Sequence, residues 1–395
     1  MQNDCTVRLD SSAGIVQKVQ QQIAARQASF QAKGKQPPLA KTPAAVPTVA
    51  NTPRLVIRAI DLLRKIGELT TPSWANMAAL SASWATRRYF WAIANASGPG
   101  RPLLLNDDVK EMDFHQKTLL SDEFGMGMAG LVVERLFNAA QFIDVSVALR
   151  DPVLYQDVRA AATTQPDYLI WNAQPGTPYF VVECKGSQTN LNTTLGQLRR
   201  GMEQVPSLVF GAGGRTVTTL VVATLLRKSG AIVYVLDPPD EPEESPSERV
   251  DKRTWRITDP ERFARRSWNG RRSQLLRWAG QFESAARIDA ELAFRPIQDV
   301  QLPNQPLERR VLSDITFEGR STPLFPELGD PALRIFTGIV EDLLHTAVND
   351  PARSELIAAE LAPRIRHLDD TAGVRREPNV SIGSDGACLV VEGLF

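Results

Sequence analysis

Two short apolar runs, each with an acid at one end and joined through a Pro-Gly turn, limit what the middle of this chain can fold into. The first, Tyr168-Leu169-Ile170-Trp171, follows Gln165-Pro166-Asp167. The second, Tyr179-Phe180-Val181-Val182, leads into Glu183-Cys184-Lys185. Between them, Gln174-Pro175-Gly176-Thr177 has turn composition, so the pair predicts a β-hairpin. Side chains two apart share a face of a pleated strand, which puts Glu183 and Lys185 together and Cys184 opposite. Asp167 opens the partner strand within reach of the same face. Two acids beside an ammonium at a sheet edge are a set suited to Mg²⁺ with a charge-stabilising lysine.

The surrounding pattern predicts an α/β unit. A helix is expected over Met126–Ala140 and a strand over Phe142–Leu149, ahead of the hairpin. A helix over Leu195–Val205 and strands over Val217–Leu226 and Ala231–Leu236 then follow. Gly211-Ala212-Gly213-Gly214 lacks the Lys-Ser/Thr ending of a phosphate loop and reads as a turn. The organisation expected along the chain is a flexible N-terminal segment with a Pro-rich linker (1–53), a helical region (54–106), the α/β core (107–237), an acidic linker (238–251) and a mostly helical C-terminal domain (252–395). In the helical region, Leu55 to Leu69 suits one helix. In the C-terminal part, Phe263–Leu292, Pro331–Leu344 and Ala352–Leu361 read as helical, and Val380-Ser381-Ile382 with Ala387–Val391 as a hairpin.

At 395 residues the chain can bury at least one sizeable core. No run approaches the ~18 apolar residues of a membrane span, and the N-terminus lacks the order of a secretory signal. Three scattered cysteines, Cys5, Cys184 and Cys388, argue against a disulfide framework and fit a reducing compartment, so a cytoplasmic protein is expected. Neither they nor His115, His345 and His367 have zinc-site spacing. Net charge is zero, but its distribution is uneven. Asp237–Glu248 holds six acids and no base, whereas Lys252–Arg277 holds nine bases and two acids. Such asymmetry suggests a basic face beside an acidic linker.

Pro166-Asp167, fifteen residues, then Glu183-Cys184-Lys185 resembles the PD-(D/E)xK signature of the restriction-endonuclease-like nuclease superfamily. The expected helix–strand–hairpin–helix–strand order is similar to that superfamily's core, a mixed sheet flanked by helices. The resemblance covers roughly Asp107–Leu236 and leaves the terminal regions unassigned. It implies that Asp167 and Glu183 hold Mg²⁺ or Mn²⁺, with the Cys184 backbone carbonyl as a further ligand and Lys185 orienting water or stabilising charge. Members often add an acid from the preceding helix, for which Glu134 is the candidate and Glu123 the second choice. Some carry a Gln in a Gln-x-x-x-Tyr arrangement; Gln197 has that location, but Gly201 stands where the Tyr would be.

Phosphodiester hydrolysis needs an activated water and relief of charge building on the phosphoryl oxygens, and a hard divalent cation supplies both. The expected function is therefore a Mg²⁺-dependent endonuclease acting on DNA rather than RNA, with bacterial or antiviral defence as a setting the superfamily suggests. A non-catalytic nucleic-acid-binding or scaffold protein on the same fold, or an RNA-cleaving toxin-like nuclease, remain the alternatives. Arg265, Arg266, Arg271 and Arg272, interleaved with Trp268 and Trp278, suit phosphate neutralisation and base stacking. A helix with a tryptophan core face and solvated arginines would give the same pattern. Self-association or a partner protein would act through the terminal regions; no membrane is expected.

Overall fold

The computed structural model describes residues 4–70, 78–93, 100–137, 139, 141–149, 165–171, 180–210, 218–237, 255–291, 303–312, 314–323, 333–371 and 379–393. The fold is mixed α/β, with a mixed sheet flanked by helices. The chain begins with β1 (Asp4–Asp10), α1 (Ala13–Gln31), α2 (Pro47–Ala50), β2 (Arg54–Arg58), α3 (Ala59–Leu69), α4 (Ala78–Ile93) and β3 (Arg101–Pro102). This corrects the expectation of a flexible segment over 1–53. Cys5, Val7 and Leu9 alternate into the core, and β1 joins the main sheet between β2 and a later strand. The Pro-rich stretch is tethered: Val46 N–H donates to Ser11 Oγ at 2.7 Å, and Lys41 N–H to the Met202 carbonyl at 3.0 Å. The single helix expected from Leu55 to Leu69 is instead a strand followed by α3, every residue of which is buried.

The middle of the chain continues with α5 (Phe114–Phe137), β4 (Gln141–Asp144), α6 (Val145–Ala148), β5 (Tyr168–Trp171), β6 (Phe180–Ser187), α7 (Leu191–Gln204), β7 (Leu208–Phe210), β8 (Thr218–Arg227) and β9 (Gly230–Leu236). The strand expected over Phe142–Leu149 stops at Asp144, whose carboxylate accepts the Ser146 N–H at 2.7 Å and caps α6. The sheet order is β2-β1-β9-β8-β6-β5-β4, with β3 alongside β1. β4–β5 and β5–β6 are antiparallel and β6–β8 is parallel, as the α7 crossover between them requires. On one face α1 and α7 pack Ile15, Val19, Ile23, Leu195, Leu198 and Met202 onto Val221, Ala223 and Leu225. On the other, α5 packs on β6 and β8, with α3 behind it. Burial on both faces explains the Leu220–Leu226 run, apolar except for the buried Thr224. Residues 172–179, the turn of the expected hairpin, and the expected acidic linker 238–251 lie outside the described residues.

The chain then adds β10 (Trp255–Ile257), α8 (Pro260–Trp278), α9 (Phe282–Glu291), β11 (Glu308–Leu312), β12 (Ile315–Pro323), β13 (Arg334–Val340), α10 (Glu341–Asn349), α11 (Pro351–Thr371), β14 (Val380–Ile382) and β15 (Ala387–Glu392). The expectation of a mostly helical C-terminal domain is corrected by a five-stranded antiparallel sheet, order β11-β12-β13-β15-β14. Over Pro331–Leu344 a helix is expected; α10 supplies it only from Glu341, and β13 takes Arg334–Val340, with Ile335–Val340 buried throughout, so a run without alternation imitated a helix.

A buried ion network joins this sheet to α3, α5 and α8. Its buried members are four acids (Asp61, Glu68, Glu134, Asp385) and four bases (Arg58, Arg64, Lys65, Arg271), and the partly exposed Arg135 adds a fifth base 3.5 Å from Asp61. Arg58 pairs with Asp61 at 2.6 Å, Lys65 with Glu134 at 2.7 Å and Glu68 at 3.0 Å, and Arg271 with Asp385 at 2.9 Å. Buried charge is tolerated only when paired and hydrogen-bonded, and these contacts meet that condition. Asp385 comes from the β14–β15 turn, so the last hairpin completes the network.

Candidate active site

Tyr168 lies opposite Val182 in the antiparallel β5–β6 pair, so the flanking Asp167 and Glu183 face each other across it. Residues so opposed share a face, with Cβ atoms about 4.5–5.5 Å apart. Two hydrogen bonds fix Asp167. Its Oδ2 accepts the Cys184 N–H at 2.7 Å, and its carbonyl accepts the Val145 N–H at 3.2 Å. Glu183 is fully buried on the α7 side, beside Gly201, where an added Cβ would stand 3.3 Å from Glu183 Cγ. Lys185, two residues on and partly exposed, pairs its ammonium with Glu183 Oε1. Glu183 Oε2 is closed to solvent and has no hydrogen-bond partner among the described residues.

Burial, and then the Asp167 charge, push the Glu183 carboxyl up to about 8, against the pull of Lys185. Burial also raises Asp167, opposed by Lys185 and the Cys184 N–H. For Lys185, burial disfavours the ammonium, but Glu183 and Asp167 outweigh it and hold its pKa above the usual lysine value. Crowded, desolvated carboxyls with one orphaned oxygen retain a proton near neutrality unless a cation takes its place. The donor set therefore fits a divalent ion. Among the described residues no third His, Cys, Asp or Glu ligand atom clusters tightly with this pair. A Mg²⁺ here would fill its shell from backbone carbonyl and water, as that ion prefers.

Two helices press on the Lys185–Gly186 peptide. From α5, Gly125 approaches so closely that a Cβ there would lie 2.7 Å from the Lys185 carbonyl carbon and oxygen. A Cβ on Gly186 would collide with the Ser121 carbonyl. From α7, Gln197 donates through Nε2 to the Gly186 carbonyl at 2.7 Å, while its Oε1 is buried and has no hydrogen-bond partner among the described residues. Gln197 thus lies on the helix that follows Lys185, with Gly201 four residues on. Cys184 is a buried free thiol, and burial raises its pKa well above normal.

The helix acid requires a correction. Glu134 does not join Asp167 and Glu183; its Oε2 pairs with Lys65 and Arg64, and its Oε1 accepts the Ser384 N–H at 2.9 Å. Although burial opposes ionisation, Lys65 and Arg64 hold it down at about 2. Asp122 is the α5 acid within electrostatic reach of both Lys185 and Asp167. Glu134 lies twelve residues further on, about 18 Å along the helix axis. The neighbouring Glu123 has a carboxyl raised by burial, with the Tyr89 hydroxyl acting the other way. The sequence signal for Asp122 was its place one turn before Gly125, where the helix needs room to approach the strand.

Two of the four arginines expected on a nucleic-acid surface are also corrected. Arg271 is buried in the ion network, bonded to Gln141 at 3.0 Å and Asp385 at 2.9 Å. Arg272 is buried against the Ala347 carbonyl. Arg265 is exposed and Arg266 partly so. Trp268 and Trp278 are core residues whose indole N–H groups donate to Pro351 and Cys388 carbonyls at 3.2 and 3.0 Å. Among the described residues no helix is long and apolar enough to cross a membrane. No protein-family model, curated protein or solved structure matches the chain.

Proposed function

We propose that this protein is a metal-dependent nuclease of the PD-(D/E)xK type, hydrolysing phosphodiester bonds in DNA. The observation that carries the reading is the facing Asp167–Glu183 pair with its orphaned Glu183 Oε2 and the Lys185 ammonium beside it. Further support comes from the order α5–β4–α6–β5–β6–α7–β7–β8, which contains, with α6 and β7 added, the helix–strand–hairpin–helix–strand arrangement that the resemblance implies.

In this reading Asp167, Glu183 and the Cys184 carbonyl would hold Mg²⁺ or Mn²⁺, with Asp122 of α5 within electrostatic reach of the pair's Asp167 and of Lys185. The ion would supply Lewis acidity and an activated water. The hydrogen bond from Cys184 orients Asp167 before any ion arrives. Lys185, released from Glu183, holds its ammonium toward the scissile phosphate and stabilises charge that builds only in the transition state. Gln197 fixes the Gly186 peptide and so the direction of Lys185.

Purified protein stripped with EDTA, then supplied with Mg²⁺ or Mn²⁺, should cleave DNA, and faster than matched RNA. Cleavage should vanish in Asp167→Ala and in Glu183→Gln/Lys185→Ala. Cleavage that survives in the double variant, or runs unchanged in EDTA, would defeat the proposal; faster RNA cleavage would redirect it to that substrate.

A further inference from the structure

A second cluster of ligand-bearing side chains lies in the C-terminal sheet. Glu318 projects from β12, while Glu341 and His345 sit four apart on α10 and so share one helix face. One ligand atom from each lies within 4.8 Å of the other two. His345 Nε2 stands 3.1 Å from Glu318 Oε2, yet that oxygen is closed to solvent and forms no hydrogen bond among the described residues. With a protonated imidazole this contact is an ion pair; with a neutral one whose Nε2 lone pair is free, the two atoms have the spacing of neighbouring ligands of one cation. Ligands bonded at about 2.0–2.1 Å to a tetrahedral Zn²⁺ stand about 3.3 Å from each other.

We infer that Glu318, Glu341 and His345 form a site for a divalent transition-metal ion of the Zn²⁺ class, separate from the Asp167–Glu183 pair. One imidazole with two carboxylates favours such an ion over Mg²⁺, which takes oxygen ligands. Glu341 now pairs with the exposed Arg309 at 2.8 Å, and rotation away from that arginine closes the triad. The ion would tie α10 to β12. His345 is 59% exposed, which leaves the remaining coordination position to water.

The test uses the full chain, stripped of metal, with Zn²⁺ titrated by calorimetry and Co²⁺ as the spectroscopic probe. In the Glu183→Gln protein, which lacks the carboxylate pair of the first site, one equivalent should bind, with the visible absorption of low-symmetry Co²⁺. His345→Ala and Glu318→Gln, each added to Glu183→Gln, should weaken that binding at least about tenfold. Because His345 is largely exposed, its replacement spares the core, and a melting curve verifies folding. No bound equivalent in the Glu183→Gln protein, or one undiminished when either further change is added, overturns the inference and reduces the cluster to two surface ion pairs. Neither result depends on whether the protein cleaves nucleic acid.

Discussion

The Asp167 carboxylate accepts a hydrogen bond from the backbone amide of Cys184, one peptide beyond the acid it faces, Glu183. The strand pairing thereby aims one acid and buries the other. The two carboxyls consequently respond to different perturbations.

Glu183 sets a stability–pH relationship. Its pKa lies near 8 in the folded state against an ordinary value of 4.5. A raised folded pKa means that the folded protein binds the extra proton, so the contribution is complete below about 4.5 and lost as pH rises through 8. In EDTA, Glu183→Gln should therefore melt progressively higher than the unaltered protein between pH 5 and pH 9. A pH-independent difference in melting temperature would contradict the assignment. Mg²⁺ should narrow the gap by stabilising only the unaltered protein.

Lys185 should contribute to turnover more than to binding. Its ammonium rests on Glu183 until a cation competes for that carboxylate. Lys185→Ala should lower kcat about 10²–10³-fold, with KM little changed. Lys185→Arg should restore little, since a planar guanidinium cannot occupy the same point. A loss confined to KM would place Lys185 in substrate binding instead.

Glu134→Ala should act on stability and leave metal affinity alone. Removing one partner from a buried charge pair costs about 3–5 kcal/mol, and Lys65 and Arg64 would lose their shared carboxylate. Chemical denaturation should register that loss, while Mg²⁺ titration of the folded variant matches the unaltered protein. A variant of normal stability with weakened metal binding would return Glu134 to the site.

Gly186→Ala tests the helix–strand contact. Its methyl would meet the Ser121 backbone, which cannot yield as a side chain can. About 1–3 kcal/mol of destabilisation is expected from overpacking. Activity should fall further, because the displaced peptide also carries Lys185 and anchors Gln197. Unaltered cleavage by this variant would show that the close approach is incidental.

Strand identity was legible wherever period and length agreed. Alternation put Glu183 and Lys185 on one face, and the opposition of Asp167 and Glu183 follows from the antiparallel register of β5 and β6. β1 was not legible because seven residues with Asp at both ends, Asp4 and Asp10, resemble a solvated tail until β9 and β2 pair with them. β13 was misread because burial on both faces removes alternation. Glu134 illustrates a different limit. Helical position identifies a face but not which of two buried charge systems that face meets. Similarly, Arg271 looks solvent-seeking in sequence, and only Glu68 and Asp385, about two hundred residues before it and more than a hundred after, make its burial affordable.

The β14–β15 turn carries a temporal consequence. Arg64, Lys65 and Arg271 emerge from the ribosome well ahead of Asp385, their distant counter-charge. Until that turn is translated, three cations crowd a half-built interior with too few anions to neutralise them. Nascent chains short of residue 385 should therefore stay loose and protease-sensitive, and tight closure becomes an event of late synthesis.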